Sequence, residues 1–219
     1  MMMNVNVREH TRIPSLDRMI DDFLRKRAAL GGPPLFTLSP SEARAVLAGM
    51  QTDEIMRYEA DSEDCSIHGG PTGEVSLRIV RPRGFSDPLP MILYFHGGSW
   101  IMGNKDTHDR LVREIATGAQ ATVVFVDYTR APEAQYPLAV EQAYVATRWI
   151  AENGAAIRVD PSRLALAGDG VGGNMVAAVT LLAKARRGPR ITFQLLFYPA
   201  TDASFDTASY TQFAERALS

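Results

Sequence analysis

Hydrophobic positions along this chain follow two periods, one before about residue 53 and another after it. In the first stretch they recur every three to four residues. Leu16, Met19, Ile20, Phe23 and Leu24 share one face of a helix that Ser15 opens and Gly31-Gly32-Pro33-Pro34 ends. A second helix is predicted from Ser39-Pro40-Ser41-Glu42. Ser39 can accept from the unpaired backbone N–H groups, Pro40 suits the first helical position, and Glu42 can reach back to complete a capping box. Its stripe is Ala43, Val46, Leu47 and Met50, and both stripes read as core packing. Residues 1–14 are polar, follow no period and are expected to be irregular and mobile.

Beyond residue 53 the pattern is that of strands. Val75, Leu77 and Ile79 alternate with Ser76 and Arg78 after a Gly69-Gly70-Pro71-Thr72-Gly73 turn, as in a half-buried strand. Met91 to Phe95 is continuously apolar, as a strand covered on both faces should be. Helices are predicted over 107–117, 138–152 and 173–186. Strands are predicted at Thr122–Val126, Leu164–Ala167 and Ile191–Tyr198. Alternation of this kind implies an α/β fold, a mostly parallel sheet with helices on both faces. Residues 1–52 read as an N-terminal helical cap segment and 53–219 as the α/β domain, with no linker composition between them.

Composition removes several classes of function. With 46% hydrophobic and 22% charged residues the chain can bury enough apolar surface to fold. A net charge of -2 gives no basic stripe for nucleic acid and no attraction to an anionic membrane. One cysteine, Cys65, allows neither an internal disulfide nor a Cys-rich metal site. Met1 to Arg12 has no apolar run of the secretory type. The apolar stretch Met175–Ala183 falls short of the roughly 20 residues that span a bilayer. A cytoplasmic protein without a membrane span is expected.

Two glycine-rich segments each follow a buried strand. In His96-Gly97-Gly98-Ser99-Trp100, consecutive glycines let backbone N–H groups turn toward one point, which is how main chain builds an oxyanion hole. The second segment is Gly168-Asp169-Gly170-Val171-Gly172-Gly173-Asn174. Gly168, Gly170 and Gly173 also spell a dinucleotide-binding fingerprint. That reading needs an acid about 20 positions on. Arg186-Arg187-Gly188-Pro189-Arg190 stands there, and the first acid beyond the next strand is Asp202. The nucleotide reading is set aside.

The segments His96–Trp100, Val126-Asp127-Tyr128 with Ala131-Pro132-Glu133, and Gly168–Asn174 occur in that order. Together they resemble the hormone-sensitive-lipase family of α/β-hydrolase esterases, from about residue 15 to the end. The resemblance implies an α/β-hydrolase fold and carboxylic-ester hydrolysis without metal or cofactor. It implies an oxyanion hole from the N–H groups of Gly98, Ser99 and Val171, supported by His96, Gly97, Gly168, Asp169 and Gly172. His96 would brace the loop, and Asp127 and Glu133 would fix loops by hydrogen bonds. Ser99 reads as an N–H donor, Ser162 as a turn residue. Asp169 lies one residue before the elbow apex, so its side chain should point away from the reacting position.

Two features depart from the family. Gly170 stands where the family carries its nucleophilic serine, so no catalytic hydroxyl is present there. The acid and histidine of this fold follow the nucleophile in chain order, yet His10, His68, His96 and His108 all precede it. The 21 residues after Tyr198 are too few for the remaining strands, so the hydrolase domain reads as incomplete at its C-terminal side. The expected function is a family member that is inactive as it stands. The alternatives are a ligand-binding relative, as the plant gibberellin receptor is of these esterases, and a truncated remnant. The expected partners are a small acyl ester or apolar carboxylate, and a second chain along the exposed Ile191–Tyr198 edge. Nucleic acid is not expected.

Overall fold

Local chemistry sets where each element begins, and the computed structural model describes the result for residues 17–51 and 56–213. The irregular start, the opening at Ser15 and the boundary at 52–53 lie outside those residues. Helix α1 (Arg18–Leu30) is capped by Asp17, whose carboxylate accepts the Met19 N–H at 2.8 Å. Met19, Ile20 and Phe23 are exposed, so this stripe is not the core packing expected of it. Helix α2 (Pro40–Gly49) carries the predicted capping box. Glu42 Oε2 accepts the Ser39 N–H at 2.8 Å while Ser39 Oγ accepts the Glu42 N–H at 3.4 Å.

Then follow β1 (Ala60–His68), β2 (Glu74–Pro82), β3 (Leu89–Phe95), α3 (Asp109–Ala119), β4 (Thr122–Asp127), α4 (Leu138–Asn153), β5 (Val159–Asp169), α5 (Val171–Ala185), β6 (Phe193–Phe197) and α6 (Ala208–Phe213). The six strands form one sheet in the order β1-β2-β4-β3-β5-β6. β1 and β2 pair antiparallel, as do β2 and β4, while β4, β3, β5 and β6 run parallel. The chain divides into two compact units, Met1–Leu38 with Ser204–Ser219, and Ser39–Ala203. The second unit holds the sheet.

Alternation along the strands feeds two cores. Leu93 and Phe95 of β3, Val124 and Val126 of β4 and Leu166 of β5 face one side, with Ile150 of α4 and Met175 and Val179 of α5. Tyr94, Val123, Phe125 and Ala167 face the other, with Val112 and Ala116 of α3. Helices thus cover both faces, as the period of two requires.

The differences from the sequence pattern have physical causes. β1 goes unannounced because most of its side chains are exposed and polar. β5 starts at Val159, ahead of Leu164, and Ser162 lies within it rather than in a plain turn. Asp160 Oδ1 accepts the Ser162 N–H at 2.9 Å, so a turn-like local bond sits inside the strand. α3 begins two residues late because Asn104 Oδ1 takes the N–H groups of Asp106 and Thr107, both at 2.9 Å.

Candidate active site

β5 ends at Asp169, Gly170 turns the chain, and α5 starts at Val171. Gly170 has φ 53° and ψ −115°, in the left-handed half of backbone space that a side chain resists. Its N–H donates to the Phe197 carbonyl at 3.0 Å, and its carbonyl accepts from Asn174 at 3.2 Å and Ala200 at 3.0 Å. A Cβ at Gly170 would meet nothing within 4 Å, so the apex is open. At Gly172 a Cβ would collide with the Phe95 carbonyl, and at Gly168 with the backbone of Gly172. These two glycines let α5 cross against the end of β3.

Phe95 pairs with Gly168, so the loop that follows β3 emerges beside the elbow. Gly98 has φ 106°, and Ser99 and Trp100 are left-handed as well, at 56° and 57°. The Gly98 carbonyl accepts from Ile101 at 3.0 Å and Met102 at 2.8 Å, which closes the turn. Asp169 ties the two segments together, its Oδ1 accepting the Gly97 N–H at 2.9 Å and the Tyr94 hydroxyl at 2.8 Å. His108 Nε2 lies 3.6 Å from the same oxygen. Burial alone would raise the Asp169 carboxyl; His108, Tyr94 and the Gly97 N–H outweigh it and hold it below its ordinary value. Its carboxylate thus faces the glycine loop.

His96 is buried, stacked on Tyr128 at 4.2 Å and on Phe125 at 5.3 Å, with Nδ1 2.8 Å from the Gly97 carbonyl. Burial, reinforced by His108, pushes its pKa down to about 3. It stays neutral, and its Nδ1–H donates to that carbonyl within the loop. Tyr128 adds a bond from its hydroxyl to the His96 carbonyl at 2.8 Å.

The sequence pattern missed Arg44. From α2 its guanidinium donates to the carbonyls of Ile101 at 2.7 Å and Ala131 at 2.8 Å, and bidentately to Glu133, both bonds at 2.7 Å. Glu133 is thereby held down to about pKa 2 by Arg44 and fixes its loop as expected. No motif flags Arg44. Asp127 does not behave as expected: among the described residues its side chain makes no hydrogen bond, and burial pushes its carboxyl up. Beside Ser99, Trp100 and Asn174 opens an apolar groove of about 890 Å³ that runs past Val140 to Leu181 and Leu182. A smaller cleft of about 380 Å³, bordered by Leu47, His108, Asp169 and Tyr198, lies on the α3 side.

Among the described residues no helix is long and apolar enough to cross a membrane. A sequence profile described as alpha/beta hydrolase fold matches residues 92–219. Carboxylesterase NlhH of Mycobacterium tuberculosis is 38% identical over 204 residues, covering 92% of this chain and 61% of that protein. Esterase LipI of the same species is 48% identical over 134 residues, 60% of this chain and 42% of that one. The crystal structure of a thermostable esterase from Pseudomonas putida superposes with a TM-score of 0.89 at 45% identity, over 93% of this chain and 64% of that one. The chain spans about three fifths of the length of NlhH, 61%, and of the Pseudomonas putida esterase, 64%.

Proposed function

The chain belongs to the alpha/beta hydrolase fold family, in its hormone-sensitive-lipase type, and on that premise we propose an esterase-type domain without hydrolytic turnover of its own. The observation that carries this reading is the glycine at the apex of the β5–α5 turn. Ester hydrolysis in this fold begins with a hydroxyl at that apex attacking the carbonyl carbon. The carbonyl oxygen gains charge, backbone N–H groups hold it, and a histidine takes the hydroxyl proton. The N–H groups of Gly98, Ser99 and Val171 are the proposed holders here. Gly170 supplies no oxygen for the attack, and His96 is neutral and committed to the Gly97 carbonyl.

A ligand-binding role is the second reading, favoured by one feature: the groove that starts at Ser99 is apolar and lies next to an unfilled apex. A small carboxylate or ester would set its polar head at the N–H groups and its chain in the groove. Residues 1–52 as a cap segment and 53–219 as the hydrolase domain belong to the same proposal. Hydrolysis of 4-nitrophenyl acetate and butyrate by the purified chain tests it, and release of nitrophenol at the buffer rate is expected. Turnover that disappears on a bulky substitution at Gly98 would overturn it, because a nucleophile would then exist in this site.

A further inference from the structure

The groove that opens beside Ser99 selects its occupant by shape. Asn174, Ala178, Leu181, Leu182 and Ala185 line it. They recur at i, i+4, i+7, i+8 and i+11, so a single face of α5 forms one wall. From Asn174 to the end of α5 at Ala185 that wall runs about 16 Å, at about 1.5 Å per residue. Ala139 and Val140 of α4 line the same groove. Leu181 is 68% exposed, so apolar surface along this wall is still in water. Three polar side chains of the groove are spent within the protein. Arg186 donates to both carboxylate oxygens of Glu141, at 2.6 and 2.7 Å. Asn174 Nδ2 donates to the Ala200 carbonyl at 2.8 Å, and Thr129 Oγ1 accepts from Gln142 at 3.0 Å. The α5 wall therefore offers a ligand a long apolar strip and little to hydrogen-bond.

Val171 opens α5, and Leu181 lies about 15 Å further along the helix. We propose that the groove holds a straight, unbranched acyl chain of about eight to ten carbons, the length that spans this distance when extended. Its carbonyl oxygen lies at the N–H groups of Gly98, Ser99 and Val171, and its tail lies against Leu181. This rests on the ligand-binding reading of the same site and adds to it the length and form of the chain. A shorter acyl group leaves the strip wet, a branched one cannot lie along a straight wall, and a polar tail finds its would-be partners already bonded. Each methylene laid on the strip should strengthen binding about two- to fourfold, the lower figure applying where the groove covers one side of the chain. A free carboxylate and an ester carry the same chain and differ in the head alone.

NMR titrations of the full 219-residue chain with sodium butyrate and sodium octanoate test it, with methyl octanoate and sodium 2-propylpentanoate in parallel. The amides of Gly98, Ser99 and Val171 should shift with butyrate and octanoate, and those of Ala178 and Leu181 with octanoate and its methyl ester alone. Octanoate should bind at least about fifteenfold more tightly than butyrate, which has four fewer methylenes. The branched 2-propylpentanoate, with the same atoms as octanoate, should bind at least about fivefold more weakly than it. Leu181→Asp changes an exposed position. It should weaken octanoate about fivefold or more and leave butyrate, which ends short of it, where it was. Either order between octanoate and its methyl ester supports the chain and tells which head it carries. No shift at the glycine loop with any probe would overturn the ligand-binding reading and this inference with it. Shifts there with equal affinity for butyrate and octanoate would overturn this inference alone. So would a branched acid as tight as octanoate, or octanoate binding indifferent to Leu181→Asp.

Discussion

At the scale of single residues, Gly170 and Gly172 make opposite demands. Gly170 has open space above it but a backbone that costs a residue with a side chain about 1–3 kcal/mol. Gly170→Ser should lose about that much stability in urea unfolding and still fold. Gly172→Ala puts a methyl group into the Phe95 carbonyl and should cost about 3 kcal/mol or more, or prevent folding. The Gly170→Ser chain should also stay at background with aryl esters, since an alcohol without a base is a poor nucleophile. Adding a C-terminal family segment with its acid and histidine should restore hydrolysis only together with Gly170→Ser. The two repairs should be strongly non-additive.

His96 gives a second expectation at this scale. The folded chain protonates it only near pH 3, against an ordinary value of 6.5. As the pH falls below 6.5 the unfolded chain takes up a proton that the folded one refuses. Its contribution is therefore full above that pH and declines below it, by up to about 1.4 kcal/mol per unit. Urea midpoints at about pH 7.5 and about pH 5 should show this slope. His96→Gln should flatten it; an unchanged slope would mean that other groups carry it.

At the scale of elements, the glycine loop is held from three directions: Asp169 at the end of β5, Tyr128 after β4 and Arg44 on α2. Arg44→Met should leave the sheet intact and speed hydrogen exchange at the Ala131 amide, which donates to the Trp100 carbonyl at 2.8 Å. The link from Arg44 to Glu133 should persist through ordinary acid and fail only as the pH falls toward about 2, where that carboxylate protonates. The capping box of α2 was legible because its four residues are adjacent in sequence. The clamp was not, because Arg44 and Glu133 stand 89 positions apart. Nothing local to Arg44 says which loop its helix will meet. β1 was illegible for another reason: its polar, exposed side chains carry no alternation.

At the scale of the whole molecule, β6 lies at the end of the sheet and pairs along one side with β5. Phe193 is 62% exposed, and Leu196 is exposed as well. An apolar edge strand is a template for another chain. Sedimentation should therefore show concentration-dependent association, reduced by Phe193→Lys; a monomer at all concentrations, blind to that substitution, would refute it.

Apart from β1, the residues by themselves determined which of the strands and main helices form and where the chain turns sharply. Those outcomes depend on hydrophobic period, caps and the left-handed freedom of glycine, all of which act over a few neighbouring positions. The glycine at the apex of the β5–α5 turn was likewise written in a contiguous motif. Only the tertiary structure decided that β3 and β5 lie side by side, because sheet order follows from which faces pack against which helices. That adjacency brings Asp169 onto Gly97 and sets His108 near it. It also sends Arg81 to the far end of the sheet, where its Nη2 donates to the carbonyls of Ile157 and Arg158.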